Sequence, residues 1–433
     1  MFGYYLQLAL RSFRRNRVLT ALMVLAIALG IGASMTTLTV YYILSGDPLP
    51  GQSQHLYEVQ LDPQSLQGYE PGQEPAEQVT RYDAETLLAE RRAPRQAMMS
   101  GGNVSVQPGK AGLAPFYAPA RYTSADFFPM FHTRLLFGQG WSAADDAAHA
   151  RVAVITKSLN DKLFGGANSV GKPVRLAGQE FRVAGVMGDW NPNPHFYDLN
   201  VRGFGGAEDV MVPFTTSRDL NMDRSGSMDC WGDSKGDGTA VGANCVWIQY
   251  WVELDDAAQA SAYRRYLVNY STQQHAAGRF QRPPNVRLRS VMQWLSYKQI
   301  VPGDVRLQVL LAFGFLLVCL VNTVGLLLAK FLRRSSEMGI RRALGASRRA
   351  IFLQCLVEAG MVGLVGGMLG LGLAALGLWG VRHQPTQYAP YVHLDLAMLA
   401  LTFVLALLAS LLAGVLPAWR AMQVTPAMQL KAQ

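Results

Sequence analysis

Charge is scarce in this chain of 433 residues. Asp, Glu, Lys and Arg together make up 16 % of it, low for a soluble protein. The seven histidines are His55, His132, His149, His195, His275, His383 and His393. None stands at metal-ligand spacing from another His or a Cys, so no metal site is expected. The motifs G-x-S-x-G and H-E-x-x-H are both absent, and no other catalytic constellation takes their place. The chain therefore reads as a non-enzyme with no cofactor of its own.

One stretch imitates a nucleotide site. In GGANSVGKP, residues 165–173, Gly166, Gly171 and Lys172 fit G-x-x-x-x-G-K. A phosphate-binding loop then needs Ser or Thr, and it opens a helix. Pro173 has neither hydroxyl nor N–H. The residues after it put Val174 and Leu176 on one face, turn at Ala177-Gly178, and continue with Phe181 and Val183. That pattern predicts a β-hairpin, not a nucleotide site.

What the chain does have is long apolar runs. Val18–Ile43 holds 26 residues without a charge, enough helix to cross a hydrocarbon core of ~30 Å. Leu307–Ala329, Ala359–Trp379 and Leu396–Leu416 are three more. The first is too long for a cleaved signal peptide and reads as an uncleaved anchor behind Arg11, Arg14, Arg15 and Arg17. Basic residues in short loops set orientation. Residues 1–17, 330–349 and 417–433 together carry +12, whereas residues 46–306 carry −2. The net charge of +9 is thus a topology signal, and no basic domain exists to bind nucleic acid.

The expected layout follows. Residues 1–17 are a cytoplasmic segment, 18–45 the first span, and 46–304 a large mixed α/β domain outside the cytoplasm. Spans at 305–329, 351–380 and 396–416 complete an α-helical membrane protein with four transmembrane helices. A cytoplasmic loop (330–350), a short outer loop (381–395) and a cytoplasmic tail (417–433) connect and end them. Both termini are expected in the cytoplasm of a bacterial inner-membrane protein.

Within the outer domain, strands are expected at 55–61, 151–156, 246–254 and 286–291. Helices are expected at 84–92 (capped by Asp83), 157–164 and from Asp255-Asp256 to about Gln274. In an oxidising compartment Cys230 and Cys245 either pair, contributing roughly 3 kcal/mol in the chain-entropy model, or remain two thiols. Cys319 and Cys355 fall in or beside spans as packing residues. Asp229, Asp233 and Asp237 have a calcium-like spacing but lack the distal Glu, and read as a solvated loop.

The most informative stretch is Ser335–Glu358, SSEMGIRRALGASRRAIFLQCLVE. Ser335 or Ser336 is placed to cap a helix, with Glu337 at its positive end. Met338, Ile340, Ala343 and Leu344 supply an apolar face, and Gly345-Ala-Ser stops the helix before Arg348. Such a helix wants a partner groove or the membrane surface. In the third span Gly363, Gly366, Gly367 and Gly370 permit close helix packing, either within the chain or between copies. Glu358 lies near the cytoplasmic end of that span, placed to pair with an arginine of the loop.

The segment Glu337–Gly367 resembles the E-I/M-G-I-R-R-A-L-G-A-S-R segment of MacB/FtsX-type ABC transporter permeases. Leu8–Ala33 is similar to that family's first span, and Thr123–Ser142 and Arg151–Trp190 to its periplasmic core domain. Pro417–Lys431 resembles its C-terminal tail. The likeness is weakest over 191–245. It implies that ATP and magnesium are bound by a separate ABC ATPase subunit and that the helix at 337–346 couples to it. The coupling residues so implied are Glu337, Met338, Gly339, Ile340, Arg341, Arg342, Leu344 and Gly345. It further implies two permeases, either two copies or a copy and a paralogue. Membrane lipid surrounds them, and a periplasmic adaptor and outer-membrane channel are partners in exporting members. The implied function is mechanotransmission, in which ATP hydrolysis drives periplasmic movement and efflux. Alternatives are regulation of a periplasmic cell-wall hydrolase, or lipoprotein release. A membrane-anchored periplasmic enzyme is disfavoured by the missing catalytic cluster.

Overall fold

In a computed structural model the chain divides into two compact units, Met1–Ser45 with Val301–Gln433, and Gly46–Ile300. The structure describes residues 16–109, 112–201, 203–232, 236–386, 388–392 and 396–423, with positions 3, 7–8 and 11–13 before them. Arg14, Arg15, Asp233, His393, Lys431 and most of the expected tail lie outside the described residues.

The α-helices are α1 (Arg17–Ser45), α2 (Arg81–Glu90), α3 (Phe127–Met130), α4 (Ala143–Ala147), α5 (Lys157–Phe164), α6 (Phe214–Asp219), α7 (Ala257–Ala276), α8 (Val291–Tyr297), α9 (Gly303–Arg333), α10 (Ser335–Ala343), α11 (Arg348–Arg382) and α12 (Leu396–Met422). The strands are β1 (Leu56–Gln60), β2 (Val79–Thr80), β3 (Arg95–Gln107), β4 (Phe116–Thr123), β5 (Leu135–Gly138), β6 (Val152–Thr156), β7 (Pro173–Leu176), β8 (Gln179–Met187), β9 (Val210–Pro213), β10 (Arg224–Ser225), β11 (Asp229–Cys230), β12 (Cys245–Glu253) and β13 (Arg287–Ser290).

The first unit is a helical bundle. α1, α9, α11 and α12 are each long and apolar enough to cross a membrane, and every one extends beyond the apolar run that announced it. Small residues let α11 sit between two neighbours. A side-chain carbon at Gly363 would run into Ser410 of α12, and one at Gly367 would lie 2.6 Å from Ala406 Cβ. On the other side, a Cβ at Gly366 would stand 2.8 Å from Ile27 Cγ2 of α1, and one at Gly370 3.1 Å from Ala28 O. Both glycine pairs are therefore used inside this chain, one against each neighbouring helix.

The second unit is built on a mixed sheet of order β13-β1-β12-β3-β4-β9-β6-β8-β5. β4–β9 and β6–β8 are parallel, and the remaining neighbours on this path are antiparallel. Alternate residues feed two cores. Met98, Ala153, Val210, Val212, Tyr250 and Val252 join one, while Ala97, Met99, Val154, Met211 and Trp251 join the other. Both faces are thus covered, which is why β12 is buried at every position, Gln249 and Glu253 included. The second core is aromatic, with Phe127, Phe131, Trp190, Phe196 and Tyr197 in edge-on or stacked contact.

The phosphate-loop mimic resolves as a turn before a hairpin. β7 and β8 pair with Val174 opposite Phe181, and Val174, Leu176, Phe181 and Val183 are all buried. The N–H groups a phosphate would need are already donating, Gly171 to Val183 O at 2.8 Å and Lys172 to Ser169 O at 2.9 Å.

One expectation needs correction here. The cap of α2 is Thr80, whose hydroxyl accepts from Asp83 N. Asp83 itself is the third residue of the helix, buried and bound by Arg279 and Tyr270. Residues 191–245, where the family likeness is weakest, are no appendage. They supply β9 at mid-sheet and Asp198 and Glu208, which flank the buried Arg121 at 2.6 and 2.5 Å. Burial opposes a charged Glu208, but Arg121 and His195 outweigh it and hold its carboxyl well below the usual range. At the end of this segment Cys230 and Cys245 are joined by a disulfide across the β11–β12 pair.

Candidate coupling site

α10 begins directly after α9, with Arg334 at the junction. Neither serine stands at the cap: Ser335 and Ser336 fall inside the helix, and the cap position is held by Arg334, which makes no side-chain capping bond. Glu337 nonetheless sits in the first turn, where a carboxylate favours the helix dipole. At the other end Gly345 takes a left-handed φ of 99°, which suits glycine. Ser347 then caps α11 by accepting from Ala350 N.

The apolar face expected of this helix is divided. Met338 and Gly339 are buried in the bundle. Ile340 and Leu344 point outward, 59 % and 83 % exposed, with exposed Ala343 beside them. The reason is helical geometry: residues two apart differ by about 200°, so Met338 and Ile340 cannot share a face. Gly339 is a packing residue of the bundle by its burial.

The inner side of α10 is held by ions. Arg334 reaches Glu337 on α10 and Glu358 on α11, each at 3.3 Å. Glu358 also takes Lys330 at 2.6 Å and a short hydrogen bond from Ser12. Lys330 further donates to Thr20 of α1 at 3.2 Å. Arg341 bridges Glu337 at 3.1 Å and Gln354 of α11 at 3.0 Å. Arg342 donates to the Met422 carbonyl at the end of α12, at 3.5 Å. Lys330 and Glu358 are almost wholly enclosed, so neither is tolerable without the other. One short helix, joined to α9 through Arg334, is thus tied by charged hydrogen bonds to α11 and α12, while an apolar strip of it faces outward.

Sequence reasoning placed Glu358 near an arginine but missed Lys330, Gln354, Ser12 and Thr20. Lys330 and Arg334 entered it only as loop charges. The signal available was their spacing of four at the end of an apolar run, matched by a carboxylate inside another. Among the described residues no group of three His, Cys, Asp or Glu is arranged to hold a metal ion.

Comparison with known proteins bears on both units. The model of the MacB-like periplasmic core domain matches residues 20–270, and that of the FtsX-like permease C-terminal matches residues 309–426. The chain belongs to the MacB/FtsX family of ABC transporter permeases. The match to the FtsX-like model takes in α10 and the whole ionic joint on α11. Two relatives align along almost all of this permease. The macrolide export ATP-binding/permease protein MacB of Azoarcus sp. is 25 % identical over 98 % of this chain and 59 % of its own length. The pyoverdine export ATP-binding/permease protein PvdT of Pseudomonas fluorescens is 24 % identical over 99 % and 59 %. The chain therefore spans about three fifths of the length of these relatives. The periplasmic region of MacB from Actinobacillus actinomycetemcomitans overlays with a TM-score of 0.37 at 14 % identity, over 59 % of this chain and 96 % of that one.

Proposed function

We propose that this permease transmits the work of an ABC ATPase from the cytoplasm to its inserted domain, which lies in the periplasm and drives efflux of a substrate from the periplasm or membrane. Both termini and α10 face the cytoplasm, in keeping with the +12 charge of the segments assigned there. The observation that carries this reading is the two-sidedness of α10. Its outer strip of Ile340, Ala343 and Leu344 is unpartnered apolar surface suited to an ATPase groove. Its inner side is bound to two membrane helices, α11 through Arg334 and Arg341 and α12 through Arg342. A push on the strip is delivered to the bundle. The relatives named for macrolide and pyoverdine export support export as the outcome.

The test is co-purification from the native membrane of wild type and of Ile340→Asp with Leu344→Asp. Both positions are exposed, so the double variant folds. We expect an ABC ATPase to accompany wild type and be lost from the variant, with ATP hydrolysis in the preparation falling at least tenfold. Equal recovery of the ATPase with both proteins would overturn the assignment of this strip. Gly339→Arg is unsuited to the purpose, since its burial makes loss of packing and loss of docking look alike.

A further inference from the structure

A groove of about 330 Å³ runs between α11 and α12. Leu353, Leu356, Gly360 and Leu364 form one wall and Leu407 and Leu411 the other, and the lining is apolar throughout. Leu353, Leu364 and Leu407 are exposed along it. From Leu353 to Leu364 the groove follows about 16 Å of helix rise, half of a ~30 Å hydrocarbon core. The small residues of α11 that permit close helix packing, Gly363, Gly366, Gly367 and Gly370, are spent within the chain on α1 and α12. Apart from Gly360, what faces the groove is long and flexible, a lining for an acyl chain rather than for another helix.

One end of the groove is marked by charge. At about 100° per residue, Arg349 falls on the same stripe of α11 as Leu353, Leu356, Gly360 and Leu364, one turn beyond the lining. Gly414 packs on Ala359 and Ser410 on Gly363, so α11 and α12 are antiparallel and Arg349 stands level with the last turn of α12. Trp419 is exposed in that turn, and such aromatics settle at the depth of lipid headgroups. Arg349 is itself exposed and pairs with no carboxylate among the described residues. The supply of carboxylates explains why. In residues 1–45 and 301–433 the acidic side chains are Asp304, Glu337, Glu358 and Asp395. Asp304 belongs to the first turn of α9 and Asp395 precedes α12 in the chain, whereas α10 adjoins the last turns of both helices. Glu337 and Glu358 are already shared among Lys330, Arg334 and Arg341.

We propose that this groove seats one anionic glycerophospholipid per chain, with an acyl chain between α11 and α12 and the phosphate on Arg349. A guanidinium meets phosphate through paired N–H donors, and basic sites at the ends of membrane helices favour anionic headgroups. The lipid thus supplies the negative charge that the chain does not. On the topology proposed above it belongs to the cytoplasmic leaflet; the leaflet rests on that reading, and the seat does not.

Native mass spectrometry of the full-length protein released from detergent, without any ATPase, tests this by titration with dioleoyl phosphatidylglycerol. Dioleoyl phosphatidylcholine, with the same chains and no net charge, and glycerol 3-phosphate, a phosphate without chains, are the controls. We expect one phosphatidylglycerol per chain to be retained at least tenfold more tightly than phosphatidylcholine, and no retention of glycerol 3-phosphate. Arg349→Gln is expected to erase the preference between the two lipids. Leu364→Trp should weaken retention of both at least tenfold without lowering the Tm, and Arg306→Gln, near the start of α9, should change neither. Equal retention of both lipids by wild type, an unchanged preference in Arg349→Gln, a lost preference in Arg306→Gln, or retention of glycerol 3-phosphate would each overturn the proposal. So would a wild-type dimer that excludes the lipid, since a second copy would then fill the groove. Ile340→Asp with Leu344→Asp leaves the groove and Arg349 untouched, so it retains the lipid as wild type does, and failure here is distinguishable from failure of the coupling assignment.

Discussion

The inserted domain and the helical bundle both bury ion pairs, and they put them to different use. In the domain, Arg121 is enclosed between strands and meets Asp198 and Glu208, both also enclosed. Tyr197 and His195 bond the same Glu208, and Gln249 bonds Asp198. Arg121, Gln249 and the stretch 195–208 are far apart in sequence and converge only when the sheet is complete, so the cluster locks one arrangement. In the bundle, Lys330 and Glu358 are equally enclosed, but Arg334 and Arg341 are only partly so. Arg334 stands at the start of a short helix and Arg341 on it, and they reach inward to Glu358 and Gln354 while the helix's other side is exposed. A buried pair thus reads as a lock where all its partners are enclosed and, on the coupling proposal, as a joint where one partner straddles the edge.

The lock should break hardest. Arg121→Met would leave Asp198 and Glu208 facing each other in the core without their cation. Removing one member of a buried ion pair costs about 3–5 kcal/mol, and two carboxylates are abandoned here. We expect the inserted domain to lose its cooperative unfolding transition, followed by tryptophan fluorescence, and to become sensitive to trypsin. A variant with a native transition would show that Arg121 does not hold this core.

The joint should break more softly and be repairable. Glu358→Gln keeps an acceptor for Arg334 but strands the Lys330 charge, for a loss of about 2–3 kcal/mol on the scale of charged hydrogen bonds. The joint reading adds that ATP hydrolysis by the co-purified ATPase becomes insensitive to the permease. Lys330→Met with Glu358→Met replaces the pair by apolar groups, which is often neutral for stability. We expect this double variant to regain thermal stability but not regulation of the ATPase. Recovery of both would mean that the ions serve packing alone.

Legibility in the sequence divides along the same line. The four membrane helices announce themselves as uncharged runs, and β7–β8, α5 and α7 follow from local turn and cap chemistry. β3 and β4 do not announce themselves. β3 carries Gly101-Gly102 in its middle, and its neighbours Met98 and Met99 feed opposite cores, so neither alternation nor an uninterrupted run survives. β9 is only four residues long and is specified by the strands on either side of it. At the joint, α10 was legible as a short amphipathic helix, but the split between Met338 inside and Ile340 outside depends on what surrounds it. Lys330 shows the limit most plainly. A count of basic residues says which side of a membrane a loop prefers, and nothing about whether a given lysine is spent on a buried carboxylate.

The smallest expected effect separates packing from coupling within one helix. Gly366 and Gly372 are six residues apart on α11. A Cβ at Gly366 would press on Ile27 and on the Val24 carbonyl of α1, at 2.8 and 3.3 Å, whereas one at Gly372 meets nothing within 4 Å. Gly366→Val therefore forces α1 and α11 apart, and overpacking of this kind costs about 1–3 kcal/mol. Gly372→Val adds volume where there is room for it. We expect the first to lower the Tm of the purified protein and the second to leave it nearly unchanged. If α1 and α11 move as one body during transport, Gly366→Val should also leave ATPase binding intact, because the altered contact is between α1 and α11 and involves no residue of the α10 strip. Loss of ATPase binding with Gly366→Val but not Gly372→Val would show that the α1–α11 seam is part of the path from α10, and that the joint at Glu358 is not the only route by which force enters the bundle.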